Sequence, residues 1–126
     1  MPPKPTEAEL EILNILWARG PSAVRDVHEE ICRSKPAQYT TVLKTLQIMA
    51  EKSLVRRDEK QRAHIYSAAK PREWTQKQIA GDLLQRAFGG SARSLLMGAL
   101  SARKASKDEL KSIRELLDEY ERKSND

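Results

Sequence analysis

The side chains best equipped for chemistry in this chain lie in two short runs. Gln38, Tyr39, Thr40, Thr41, Lys44, Thr45 and Gln47 form the first, and Lys60 and Arg62 follow in the second. Lys44 and Gln47 have the reach and the donors to address base edges in a major groove, whereas threonine offers a hydroxyl to a phosphate oxygen and a methyl to thymine. The cations at 60 and 62 suit a phosphate backbone. Residue types of this kind at this spacing imply double-stranded DNA as a partner to be read, not a substrate to be transformed.

Other chemistry is poorly provided for. One cysteine and two histidines leave few nucleophile and base pairings, and no glycine-rich loop lies between a strand and a helix to cradle a phosphate. Gly89-Gly90 reads as a helix stop. His28 and Cys32 share a helix face and could give two metal ligands, yet two ligands do not make a site and the other histidine, His64, is far along the chain. The sequence therefore implies no enzyme, no cofactor and no metal. A lone cysteine also precludes an internal disulfide and fits a reducing compartment. No apolar run approaches the roughly 20 residues that span a bilayer, and Met1-Pro2-Pro3-Lys4-Pro5 lacks the apolar stretch of a secretory signal. A cytoplasmic protein without membrane association is expected, its three early prolines forming an extended arm.

The elements that must position the two runs can be read from capping signals and periodicity. Thr6-Glu7-Ala8-Glu9 has the order of a capping box and opens a helix whose Leu10, Leu13, Leu16 and Trp17 recur on one side until Gly20-Pro21. Ser22 is expected to cap a second helix carrying Val24, Val27 and Ile31, and Pro36 breaks it. The third helix, from Tyr39, has Val42, Leu46 and Met49 on its buried side, which leaves the polar residues outward. Leu54–Glu59 and Ala63–Ser67 can pair as a hairpin around Lys60-Gln61-Arg62, with Tyr66 packing inward. Helix, turn, helix and hairpin in this order predict a mainly α fold, a winged helix-turn-helix with a small β-hairpin wing. Charge agrees with that reading. Of the net +5, residues 33–70 carry nine Lys and Arg against three Asp and Glu, whereas residues 1–32 are net acidic.

Lys70-Pro71 marks a boundary, giving a winged-helix domain over 1–70 and a helical dimerisation module over 71–126. Leu83, Leu84 and Phe88 line one helix, Leu95, Leu96 and Leu100 a second, and Leu110, Ile113, Leu116, Leu117 and Tyr120 a third, opened by Ser106-Lys107-Asp108-Glu109 as another capping box. So many apolar stripes exceed what one small core needs. A second copy of the chain would cover them and supply the two-fold symmetry that paired DNA half-sites require. The competing reading is a winged-helix module that docks a protein without reading DNA, but the polarity of Thr40, Thr41, Lys44 and Gln47 is ill suited to the centre of a protein interface.

The chain resembles the BlaI/MecI family of penicillinase repressors, whose relatives include copper-responsive CopY-type repressors. The resemblance rests on Thr6–Leu13 with Leu16-Trp17, on Tyr39-Thr40-Thr41-Val42 with Leu46, and on Lys52-Ser53-Leu54-Val55 followed by Arg62 and Tyr66. It implies a dimeric repressor of resistance or stress genes, bound to inverted repeats through the residues already named in the third helix and through Arg62. Two positions depart from the family. Ile48-Met49 stands where many relatives have Arg-Leu, and Lys52-Ser53 replaces the usual Lys-Gly. The absence of any cysteine after Cys32 excludes copper sensing by a C-terminal cysteine cluster. The resemblance also implies a protease, triggered by a membrane sensor of β-lactams, that cuts the C-terminal module. Gly98-Ala99 here occupies the place of the family's Asn-Phe scissile pair.

Overall fold

The structure is a computed structural model that describes residues 4–60 and 62–125. Met1–Pro3, the start of the expected arm, Gln61 at the expected wing tip, and Asp126 lie outside the described residues. In chain order the elements are α1 (Glu7–Arg19), β1 (Ser22–Ala23), α2 (Val24–Cys32), α3 (Tyr39–Glu51), β2 (Val55–Asp58), β3 (Ile65–Ala68), α4 (Arg72–Arg86), α5 (Ala92–Ala102) and α6 (Lys107–Ser124). The fold is mainly helical, with one small antiparallel sheet, the arrangement of a winged helix. One compact unit runs to Gly81 and a second from Asp82, so α4 begins in the first and ends in the second.

The capping box at Thr6 forms in both directions. Glu9 N–H donates to Thr6 Oγ1 at 3.2 Å, and Thr6 N–H donates to Glu9 Oε1 at 2.8 Å. The second helix starts differently from expectation. Ser22 is not its cap: Ser22-Ala23 is a strand, Ala23 holds the N-cap position, and Asp26 Oδ2 reaches back to accept the Ala23 N–H at 3.3 Å. The Ser22 hydroxyl donates to Gly20 O at 2.9 Å. Capping is therefore supplied from inside the helix, because the backbone of 22 and 23 is extended to pair with β3.

That pairing enlarges the expected hairpin to three strands in the order β1-β3-β2. Ser22 lies opposite Tyr66 and Ala23 opposite Ile65, while Val55 to Asp58 run antiparallel to Ala68 to Ile65. β1 fastens the wing to the helical bundle, and a strand of two residues is too short to show alternation in sequence. The buried core joins Ile12, Leu13 and Leu16 of α1, Val27 and Ile31 of α2, Val42, Leu46 and Met49 of α3, and Val55 and Tyr66 of the wing. Trp17 packs against it, and its indole N–H donates to Lys70 O at 2.9 Å.

Among the described residues, Glu9, Ser22 and Thr75 are the buried polar side chains, and Glu9 is the charged one. Glu9 is 3% exposed and takes Lys52 Nζ at 2.9 Å, from a residue 43 positions away that holds the C-cap position of α3. Burial pushes the Glu9 carboxyl up, but the Thr6 amide and the Lys52 ammonium outweigh it and hold the group below the ordinary carboxylate range. The next residue, Ser53, has φ of 63° and turns the chain from α3 into β2, a left-handed conformation that costs any side-chain-bearing residue.

In the second unit, Ser91 caps α5 by accepting Ser94 N–H at 3.1 Å, and Ser106 accepts Glu109 N–H at 3.0 Å at the head of α6. Only this forward half of the expected box at 106–109 is formed. No residue of α5 or α6 is buried. No helix of the described residues is long and apolar enough to cross a membrane.

Candidate nucleic-acid interface

Two side chains of α2, His28 and Cys32, make four contacts around the turn that precedes α3. The His28 ring nitrogen Nε2 lies 2.8 Å from the carbonyl oxygen of Ala37, which can only accept, so Nε2 carries the proton. The ring also meets Tyr39 edge to face, with centroids 5.7 Å apart. Cys32 Sγ is 3.3 Å from the same nitrogen and 3.6 Å from the same carbonyl. Both side chains of the expected helix-face pair thus brace the turn between α2 and α3, and the described residues hold no group of three potential ligands.

With Val42, Leu46 and Met49 in the core, the opposite side of α3 is open. Thr40, Thr41, Lys44 and Gln47 are exposed together there, and Gln38 and Tyr39 lie exposed at its N-terminal end. Thr45 is half-buried on a flank, and its hydroxyl donates to Thr41 O at 2.8 Å, which leaves only its lone pairs for a partner. Ile48 is exposed beside these residues, while its neighbour Met49 is fully buried. Lys60 and Arg62 are exposed between β2 and β3, where Asp58 Oδ1 accepts the Lys60 N–H at 2.9 Å and tightens the turn.

The ion pairs divide the cations of the first unit into two groups. Arg19 meets Asp26 and Glu30, Arg33 meets Glu30, Lys35 meets Glu11, Lys52 meets Glu9 and Arg57 meets Glu59. Lys44, Lys60 and Arg62 make no ion pair with any described residue, and neither do Arg25 and Arg56. Lys70, Arg72 and Lys77 also make none, Lys70 and Arg72 lying instead over the rings of Trp74 and Trp17, so the cations without carboxylates fall on α3, the wing, the start of α2 and the stretch from Lys70 into α4. Charges left uncompensated on a folded surface keep their full attraction for an external polyanion.

Arg25 and Arg56 were not singled out from sequence. Arg25 sits in an acidic stretch and Arg56 in a strand of mixed charge, so neither has a local signal. What marks them is position: Arg25 lines a cleft of about 450 Å³ with Tyr39, Leu43, Arg62, His64 and Tyr66.

Residues 5–119 match the family model described as penicillinase repressor. The chain belongs to the penicillinase repressor family. Within it, the chain is 31% identical over 116 residues to the protein named transcriptional regulator BlaI of Mycobacterium tuberculosis, covering 91% of this chain and 83% of that one. It is 20% identical over 116 residues to a penicillinase repressor of Staphylococcus aureus, covering 92% of each. The penicillinase repressor match extends across both compact units, so α5 and α6 are part of what the family shares. Gly98 and Ala99 lie inside α5. A Cβ on Gly98 would come within 3.3 Å of the Phe88 ring.

Proposed function

We propose that this chain is a homodimeric transcriptional repressor that binds an inverted-repeat operator in double-stranded DNA through α3 and the wing. The single observation that carries the reading is that the exposed polar stripe of α3 includes a cation without a carboxylate partner, Lys44, and is followed by a wing whose Lys60 and Arg62 have none either. Gln38, Tyr39, Thr40, Thr41, Lys44, Thr45 and Gln47 are the proposed contacts from α3, and Lys60 and Arg62 those from the wing. Membership in a family of repressors supports it.

The C-terminal helices are proposed as the pairing module. Leu84, Phe88, Leu95, Leu96, Leu100, Leu110 and Ile113 are only partly buried, while Leu83, Leu116, Leu117 and Tyr120 are exposed. A segment that leaves no residue of α5 or α6 buried has not spent its apolar surface, and a second copy supplies what is missing.

Fragments of the source genome that bind the protein should be selected and the affinity of the best one measured against salt. Log affinity is expected to fall linearly with log salt, with a slope of about −0.9 for each phosphate neutralised. Binding indifferent to salt would rule out this reading.

A further inference from the structure

A cleft lies between the start of α2, the start of α3 and the return of the wing, and its lining is rich in cationic and hydrogen-bonding side chains. We propose that it seats a phosphate of the DNA backbone, with Arg25 and Arg62 supplying charge and Tyr39 and His64 supplying hydrogen-bond donors. The inference rests on the DNA-reading proposal and extends it to two residues, Arg25 and His64, that lie outside the recognition helix and the wing tip.

Three observations support the assignment. First, the lining contains two arginines, two tyrosines and an imidazole and no carboxylate. Asp26, the residue after Arg25, is turned to the Ala23 amide and toward Arg19. Second, neither Arg25 nor Arg62 makes an ion pair with a described residue, although Arg19, six positions before Arg25, meets two carboxylates. Two guanidinium groups lining one cleft without a carboxylate give it a positive potential, and the planar fork of arginine is matched to phosphate oxygens.

The third observation is angular. Successive residues of a helix are about 100° apart, which places Tyr39 and Leu43 on the flank of α3 next to the face that carries Thr40, Lys44 and Gln47. When that face enters a major groove, a sugar-phosphate strand runs past the flank. A cleft opening on the flank and walled by α2 and the wing lies where such a phosphate has to pass, and a phosphate held from three elements sets the register in which α3 meets the bases.

The test measures binding of the intact protein to its best genomic fragment and to a random duplex over a range of salt, for wild type and Arg25→Ala. Arg25→Ala is expected to weaken both duplexes alike, by roughly tenfold or more at low salt, and to reduce the salt slope by about 0.9 per subunit with the thermal midpoint unchanged. Arg25→Lys should keep the slope and recover part of the affinity, and His64→Ala should weaken both duplexes by a smaller factor. Lys35→Ala, which removes an equal charge already paired with Glu11, should leave the slope alone. Replacing backbone phosphates one at a time by neutral methylphosphonates should reveal a position that weakens wild type but adds nothing to Arg25→Ala. Salt-dependent wild-type binding with Arg25→Ala indistinguishable from it would overturn the cleft and leave DNA reading standing. A loss confined to the selected fragment, or no such methylphosphonate position, would also overturn the cleft. Wild-type binding without salt dependence would overturn both proposals.

Discussion

Lys44 and Ser53 show how differently two exposed residues can be constrained. Lys44 stands on the open face of α3 with no carboxylate partner, and its place in the fold is indifferent to its identity. Lys44→Ala should leave thermal stability unchanged and reduce discrimination between the selected operator and single-base variants of it, by on the order of 1 to 3 kcal/mol if the contact is bidentate. Competition binding checks this; equal weakening of all duplexes would reassign Lys44 to the backbone. Ser53 is constrained by its backbone, since φ of 63° is disfavoured for any residue with a Cβ. Relatives of the resembled family carry glycine there. Ser53→Gly should raise stability by about 0.5 to 1 kcal/mol in urea denaturation, with DNA affinity unaltered.

At the scale of elements, the Glu9–Lys52 pair ties the first turn of α1 to the end of α3. Because the folded Glu9 carboxyl is held below its ordinary value of 4.5, the unfolded chain binds that proton more readily than the folded one. The pair's contribution to stability is therefore complete above the unfolded carboxylate range and is lost as pH falls through the lowered folded value. Lys52→Met removes the cation and leaves burial, which raises the carboxyl, opposed only by Thr6. The variant should lose about 1 to 2 kcal/mol at neutral pH, since a buried charge loses a charge-assisted partner that is itself partly solvated, and the deficit should shrink as pH falls through the carboxylate range because Glu9 in the variant no longer binds its proton more weakly folded than unfolded. Stability measured against pH decides it: a deficit that is absent at neutral pH, or that does not shrink in acid, would show that the pair is immaterial. The box at Thr6 was legible from spacing, whereas a partner 43 residues away was not.

For the whole molecule, the contrast is between a first unit with a closed core and a second unit whose α5 and α6 bury nothing fully. Leu116, Leu117 and Tyr120 are 50%, 54% and 62% exposed. Replacing Leu116 and Leu117 together by Asp should yield monomers in sedimentation, with the winged-helix unit intact by hydrogen exchange and binding reduced to weak occupation of single half-sites. Dimers that survive the double replacement would place the pairing surface elsewhere.

Local rules were enough to read much of this chain. Capping at Thr6, the buried stripe of α3, the break at Pro36 and the strong charge bias of residues 33–70 are encoded within a few residues of where they act, and they established a winged helix whose third helix has an exposed polar face. The tertiary structure decided what depends on distant backbone. Ser22 became a strand residue because β3 offered it hydrogen bonds, which moved the cap of α2 to Ala23 and Asp26. Glu9 became a buried ion because Lys52 arrived from the far end of α3. Arg25 lay unremarkable in an acidic stretch until α2, α3 and the wing closed around one cleft, for which a linear pattern has no signature.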